Sequence, residues 1–277
     1  MTQFTEEDAI FETKMVWMFG SPRSGTTWLG ARLLNHHKNI IWNEPYAGVH
    51  FNILKSQTKR KGYLFSEAEK KNWLPELKKF ILSRAYSHAQ TRQKNLVIKE
   101  PNGSDGADLL LECFPNSKLI FLLRDGRDVV DSLIDAHRPD SWNPNLRSIP
   151  LNSQKIRNSE IEKHAKSWNS ITESVYSAYN NHNPNLRLLV KYENLRKNTL
   201  EELKTIYQFL KIEIKDEELG HIIDKYDFKN IPKEEKGPGK FFRSATPGSW
   251  KEHFSEEEKD LMNSIMGKTL ENLNYNV

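Results

Sequence analysis

The sequence predicts an α/β protein: a single domain with a parallel sheet flanked by helices. Three observations carry this. Short, almost wholly apolar runs recur at 15–19, 40–43, 96–98, 119–123 and 186–190, the signature of strands buried on both faces. Helical patterns separate them, which implies crossover connections and covered sheet faces. The 277 residues show no internal repeat and no clear linker, and one core of that size is thermodynamically reasonable.

Each element has its own justification. The run Met15-Val16-Trp17-Met18-Phe19 is a buried strand, and the stretch 26–36 after it is a helix ended by His36 and His37, where imidazolium suits the dipole. Residues 40–43 form the second strand and 74–90 the next helix. The strand at 96–98 leads into a helix at 105–114 that contains the single cysteine, Cys113, set among leucines and read as a buried core thiol. The strand at 119–123 is followed by a helix over 127–138, with Asp125 as its cap and Asp128 in its first turn. Further helices cover 160–180 and 195–210, on either side of the strand at 186–190. Ser255 with Glu256, Glu257 and Glu258 caps the last helix. Two stretches break the pattern. Residues 139–159 carry three prolines, and 230–249 contain Lys236-Gly237-Pro238-Gly239-Lys240. Loops this long inside a compact domain are lids, binding loops or disordered segments. The whole of 1–277 is therefore one domain, with the acidic residues 1–13 as an N-terminal extension.

Bulk properties narrow the function. A formal net charge of +4 suits small anionic ligands and does not argue for nucleic acid. One cysteine excludes an internal disulfide framework. No stretch approaches the length of a membrane span, and the N-terminus lacks an apolar leader core. These features describe a soluble protein of a reducing, cytoplasmic compartment.

The most informative segment is Gly20-Ser21-Pro22-Arg23-Ser24-Gly25-Thr26-Thr27-Trp28, between the first strand and the first helix. A strand, a glycine turn and a helix start aim unpaired backbone N–H groups at one spot, where the helix dipole favours negative charge. Arg23 and the hydroxyls of Ser24, Thr26 and Thr27 add charge-assisted contacts. The turn is P-loop-like, and it starts at a strand end where such sheets bind ligands. A second motif, Arg124-Asp125-Gly126-Arg127-Asp128-Val129-Val130-Asp131-Ser132, places a guanidinium at a strand end and a hydroxyl about two helical turns later, so both can meet one anion. The bland reading is a surface Arg–Asp network. A third, Phe241-Phe242-Arg243-Ser244-Ala245-Thr246-Pro247-Gly248-Ser249-Trp250-Lys251, offers another arginine on a segment able to fold over a ligand, anchored by Trp250 and Phe254.

Together these motifs resemble the sulfotransferases that use 3′-phosphoadenosine 5′-phosphosulfate. The first is similar to their 5′-phosphosulfate loop, P-[KR]-S-G-T-T-W, and matches it from Pro22 to Trp28. The second is similar to their 3′-phosphate site, with Arg124 and Ser132 in place. The third resembles R-K-G-x-x-G-x-W-K at Arg243, Gly248, Trp250 and Lys251, and departs from it at Ser244 and Ala245. The run Tyr192-Glu193-Asn194-Leu195 looks like the family's Y-E-D/N-L, where the tyrosine lies near the adenine. The resemblance spans about residues 15 to 271.

The resemblance implies roles. The amides of Ser24, Gly25, Thr26 and Thr27 would hold the 5′-phosphate, and Arg23 would sit by the sulfuryl group. Trp28 would stack beside the adenine, or else serve as a core tryptophan. Arg124, Ser132 and Arg243, with the adjoining Ser244 and Ala245, would bind the 3′-phosphate. Lys99 matches a lysine that donates toward the sulfuryl or bridging oxygen; otherwise it is a snorkelling strand-end lysine. The histidine used as base by the cytosolic branch is replaced by Pro101. The pattern Ile41-Trp42-Asn43-Glu44-Pro45 is similar instead to the glutamate of the Golgi-type branch. Glu44 would then be the general base, or merely a salt-bridge partner of Arg23 or Lys99. His50 is the runner-up base, imidazole being a natural proton carrier. His137, Arg138 and Trp142 border the proline-rich loop and would line an acceptor pocket or form an exposed helix end. The implied reaction is sulfuryl transfer to an acceptor hydroxyl of a small molecule or glycan: a carbohydrate, a glycolipid or a natural-product alcohol. No metal is expected. Two other classes remain open: a P-loop kinase or NTPase, which would need a lysine where Thr26 stands, and a non-catalytic nucleotide-binding module.

Overall fold

The computed structural model describes residues 4–277. The five apolar runs become β1 (Met15–Phe19), β2 (Asn39–Asn43), β3 (Asn95–Lys99), β4 (Lys118–Leu123) and β5 (Arg187–Lys191). They form one sheet in the order β2-β3-β1-β4-β5, parallel throughout. β1, β3 and β4 are buried along their whole length. Side chains alternate between the faces. Met15, Trp17 and Phe19 enter one core with Phe114, Trp168 and Met266, while Val16 and Met18 enter another with Leu29, Leu33 and Tyr207. Burying each such side chain contributes about 1.5–3 kcal/mol. The strand order reverses at β1, so the C-terminal ends of β1, β3 and β4 frame a crevice.

In chain order the helices are α1 (Glu6–Glu12), α2 (Ala47–Gln57), α3 (Lys70–Ala89), α4 (Ala107–Cys113), α5 (Gly126–Asp135), α6 (Pro144–Arg147), α7 (Gln154–Asn181), α8 (Tyr192–Lys197), α9 (Thr199–Phe209), α10 (Asp216–Lys225), α11 (Trp250–His253) and α12 (Glu256–Asn272). Several depart from the sequence expectation. The helix after the first loop is a π-helix, Thr27–Leu33. It lies so close on β1 that a Cβ at Gly30 would stand 2.3 Å from Met18 Cε. The helix expected at 195–210 breaks at Asn198, whose φ of −133° and ψ of 56° are not helical. α7 begins already at Gln154, capped by the Ser153 hydroxyl, which accepts from Ile156 N–H at 3.3 Å. The stretch 139–159 therefore contributes helix at both α6 and the start of α7. Within the expected extension 1–13, α1 closes a capping box between Thr5 and Asp8 and sends Phe11 into the main core. Cys113 is a buried free thiol, pushed up to about 12 by burial. Among the described residues no helix is long and apolar enough to cross a membrane.

Candidate active site

The glycine turn between β1 and the π-helix opens the crevice. Arg23 and Gly25 both adopt positive φ, 71° and 92°. At Gly25 the demand is double, because a Cβ there would also lie 2.7 Å from Tyr192 Cδ2. The ring of Tyr192 thus floors the loop. Trp28 meets it edge-on at 6.2 Å, and the Arg124 guanidinium lies 4.6 Å from its centroid. The amides of Gly25, Thr26 and Thr27 enter the first turn of the π-helix, where backbone donors lack helical partners. Ser24 behaves differently from its expected role. Its hydroxyl turns inward to Ser21 Oγ at 2.7 Å, and its N–H donates to Ser21 O at 3.2 Å.

Two groups of polar side chains occupy the crevice. At the first, the buried Lys99 ammonium at the end of β3 donates to Thr27 Oγ1 at 3.0 Å and to Glu44 Oε1. Glu44 is steered there by a left-handed backbone, φ 49°, and its N–H donates to Lys99 O at 2.8 Å. Asn102 Nδ2 donates to the other Glu44 oxygen at 3.3 Å. The structure brings loop, lysine and glutamate together as one hydrogen-bonded cluster. His50 stands apart, exposed on α2.

At the second, three arginines gather around Ser132 of α5. Arg23 Nε donates to Ser132 Oγ at 3.0 Å and its Nη2 to Phe241 O at 2.6 Å. Its guanidinium also lies against the edge-to-face pair Trp142 and Phe241, 4.9 and 4.7 Å from their centroids, the two rings being 5.1 Å apart. Arg23 therefore points to the side of Ser132, not to Lys99. Arg124 Nη1 donates to Arg23 O at 2.9 Å, its Nη2 is 3.9 Å from Asp128, and its buried Nε has no partner among the described residues. Burial, followed by repulsion from Arg124 and Arg243, pushes Arg23 down to about 10. An anion set among these groups relieves both penalties.

Arg243 comes from the far end of the chain and is held by the acids of α5. Its Nη2 donates to Asp131 Oδ2 and, at 3.1 Å, to Ser249 Oγ. Asp128 accepts from Gly248 N–H at 2.7 Å and Asp135 from Gly239 N–H at 2.7 Å. Burial works to raise the Asp131 carboxyl, but bonds from Arg243 and His253 outweigh it and hold the group below the usual carboxylate range. Asp128, Asp131 and Asp135 recur at helical spacing on one face of α5 and clasp the segment 237–253. Sequence reasoning gave Asp128 only a dipole role and gave Asp131 and Asp135 none. Their i, i+3, i+7 spacing was the available signal, but the segment they hold lies over 100 residues away.

The cavity enclosed by these elements measures about 300 Å³. Arg23, Gly25, Thr26, Thr27, Trp28, Glu44, Arg124, Ser132, Tyr192, Arg243, Ser244 and Ala245 all line it. Sequence reasoning missed several further wall residues, Tyr226 and Arg196 among them. Tyr226 O accepts from Trp28 Nε1 at 3.0 Å, and the Arg196 guanidinium lies 5.1 Å from the Trp28 ring. Of the three residues expected around an acceptor pocket, Trp142 lines this cavity, whereas His137 and Arg138 line a neighbouring one of about 920 Å³ beyond Arg243.

The sequence matches the profile described as Sulfotransferase family over residues 16–216. The chain belongs to the sulfotransferase family. Among curated relatives it is 25% identical over 227 residues to protein-tyrosine sulfotransferase A of Caenorhabditis elegans, covering 80% of this chain and 56% of that protein. It is 24% identical over 215 residues to protein-tyrosine sulfotransferase of Drosophila melanogaster, covering 76% and 40%. The chain thus spans about half the length of the curated relatives it matches. Among solved structures, mouse sulfotransferase SULT7A1 complexed with PAP superposes with a TM-score of 0.63 at 16% identity, covering 94% of this chain and 85% of that one. The sulfotransferase domain from the curacin biosynthetic pathway gives 0.55 at 17%, covering 95% and 98%. These likenesses establish the fold of this sulfotransferase-family chain as a single α/β domain.

Proposed function

We propose that this chain transfers a sulfuryl group from 3′-phosphoadenosine 5′-phosphosulfate to an acceptor hydroxyl. The observation that carries the reading is one cavity with two anion-seeking ends: the glycine loop, backed through Thr27 by Lys99, at one, and Arg124, Ser132 and Arg243 at the other. The donor fits the residues present. Arg124 keeps an unpartnered buried N–H, Arg23 is depressed by burial and then by its cationic neighbours, and the loop backbone needs glycine at position 25. The donor bound there supplies an activated sulfuryl group on a phosphate oxygen.

The amides of Gly25, Thr26 and Thr27 hold the 5′-phosphate, and Arg124, Ser132 and Arg243 hold the 3′-phosphate. Trp28 and Tyr192 flank the base. Lys99 stabilises charge at the bridging oxygen as the S–O bond breaks. Glu44 takes the proton of the acceptor hydroxyl as its oxygen bonds to sulfur. Both groups start from one hydrogen-bonded cluster, so Lys99 also orients the Glu44 carboxylate. The sulfuryl role of Arg23 requires its side chain to leave Ser132 and Phe241.

The acceptor class is a carbohydrate, a glycolipid or another natural-product alcohol. A tyrosine-bearing peptide is the second reading, favoured by the names of the two curated relatives. Cytoplasmic residence belongs to the same proposal and rests on the free buried thiol of Cys113. Thermal shift with adenosine 3′,5′-bisphosphate against magnesium-ATP tests the donor. Preference for the bisphosphate is expected, and preference for ATP overturns the assignment. A mass-spectrometric screen for sulfuryl gain over sugars, glycolipids, alcohols and a tyrosine peptide then identifies the acceptor.

A further inference from the structure

Outside the crevice, His137, Glu160 and His164 form a buried group where the end of α5 meets α7. Glu160 and His164 are one helical turn apart on α7 and face the same way. His137 Nδ1 lies 2.9 Å from Ile149 O. Donation to that carbonyl fixes the tautomer and leaves Nε2 with its lone pair. That Nε2 lies 3.3 Å from His164 Nε2 and 3.6 Å from Glu160 Oε2, and His164 Nε2 lies 3.7 Å from the same oxygen. The two carboxylate distances are too long for hydrogen bonds. Tetrahedral zinc at about 2.0–2.1 Å sets its ligands roughly 3.3–3.4 Å apart, so one edge already fits and the Glu160 oxygen needs to move inward by only a few tenths of an ångström.

We propose that His137 Nε2, His164 Nε2 and Glu160 Oε2 bind a divalent cation of the zinc class, with water as the fourth ligand. Two imidazoles and one carboxylate are an established zinc donor set. Lys163, which donates to Glu160 Oε2 at 3.0 Å, is mostly exposed and can swing into solvent when the ion enters. The ion ties α5 to α7 and, through the Ile149 carbonyl, to the loop between α6 and α7. Its role is structural. This role is separate from the transfer step, for which no metal is proposed.

The test strips the full chain with chelator, reloads it with zinc chloride, removes excess by gel filtration and measures zinc by mass spectrometry together with the melting temperature. One zinc per chain and a raised melting temperature are expected. His137→Gln and His164→Gln should each lose the zinc. Glu160→Gln, at the edge of the site, is the variant least disturbing to the fold and should lose it while keeping a native circular dichroism spectrum. His37→Ala should retain it, since His36, His37 and Glu218 form a separate, more exposed group. A zinc-free wild type, zinc retained by the Gln variants, or zinc lost only in His37→Ala overturns the proposal.

Discussion

Glu100 follows Lys99 at the end of β3 and is wholly buried. Its Oε2 accepts from Gly48 N–H at 3.4 Å, and its Oε1 has no partner among the described residues. Burial is the main cause of its shift, opposed by the Gly48 N–H and reinforced by the charge of Glu44. Together they push the carboxyl from 4.5 up to about 7. A carboxyl that grips its proton more tightly in the folded chain stabilises that chain while protonated. The contribution is complete below the unfolded value of 4.5 and is lost as pH rises through about 7. A shift of this size corresponds to roughly 3 kcal/mol. Glu100→Gln keeps the shape and removes the titration. Denaturant melts of both proteins, from about pH 4 to about pH 8, should show the variant gaining roughly 3 kcal/mol on the wild type across that range. Stability curves that run parallel throughout would refute the assignment of a raised, buried carboxyl.

Arg124→Ala should weaken adenosine 3′,5′-bisphosphate binding about 10- to 100-fold by calorimetry, the loss expected for charge-assisted bonds in a desolvated site. Unchanged affinity would remove Arg124 from the phosphate grip. Glu44→Gln should lower kcat by about 10²- to 10⁴-fold with donor affinity preserved. Full turnover across pH would exclude Glu44 as base and return attention to His50. Gly25→Ala combines positive φ with contact against Tyr192, and should cost about 2–4 kcal/mol in denaturant melts. Adding Tyr192→Leu should recover the contact part but not the backbone part, and strict additivity would deny that the ring and the loop touch.

The sheet was legible because its strands are short apolar runs, and all five lie within a residue or two of expectation. The elements that were misplaced are those decided by tertiary contact. Nothing in Thr27–Leu33 announces a π-helix, and the close approach of Gly30 to Met18 is a tertiary contact that sequence spacing does not reveal. The start of α7 carries polar residues without apolar periodicity, so its pattern is that of a loop. The motifs of the site are local and could be read directly, down to the placement of Lys99 and Glu44 at neighbouring strand ends. The inward turn of Ser24, the approach of Arg23 to the Trp142–Phe241 pair, and the acids that clasp 237–253 depend on partners that spacing alone does not reveal.

That clasp has a consequence for how the protein matures. Asp131 and Arg243 are separated by 112 residues of chain, and a contact of such range forms only after its long loop has closed. The glycine loop and Arg124 are synthesised early and lie on or beside the central strands. A nascent chain emerging from the ribosome therefore owns one jaw of the proposed donor site long before the other, which is completed only when Arg243 has been added.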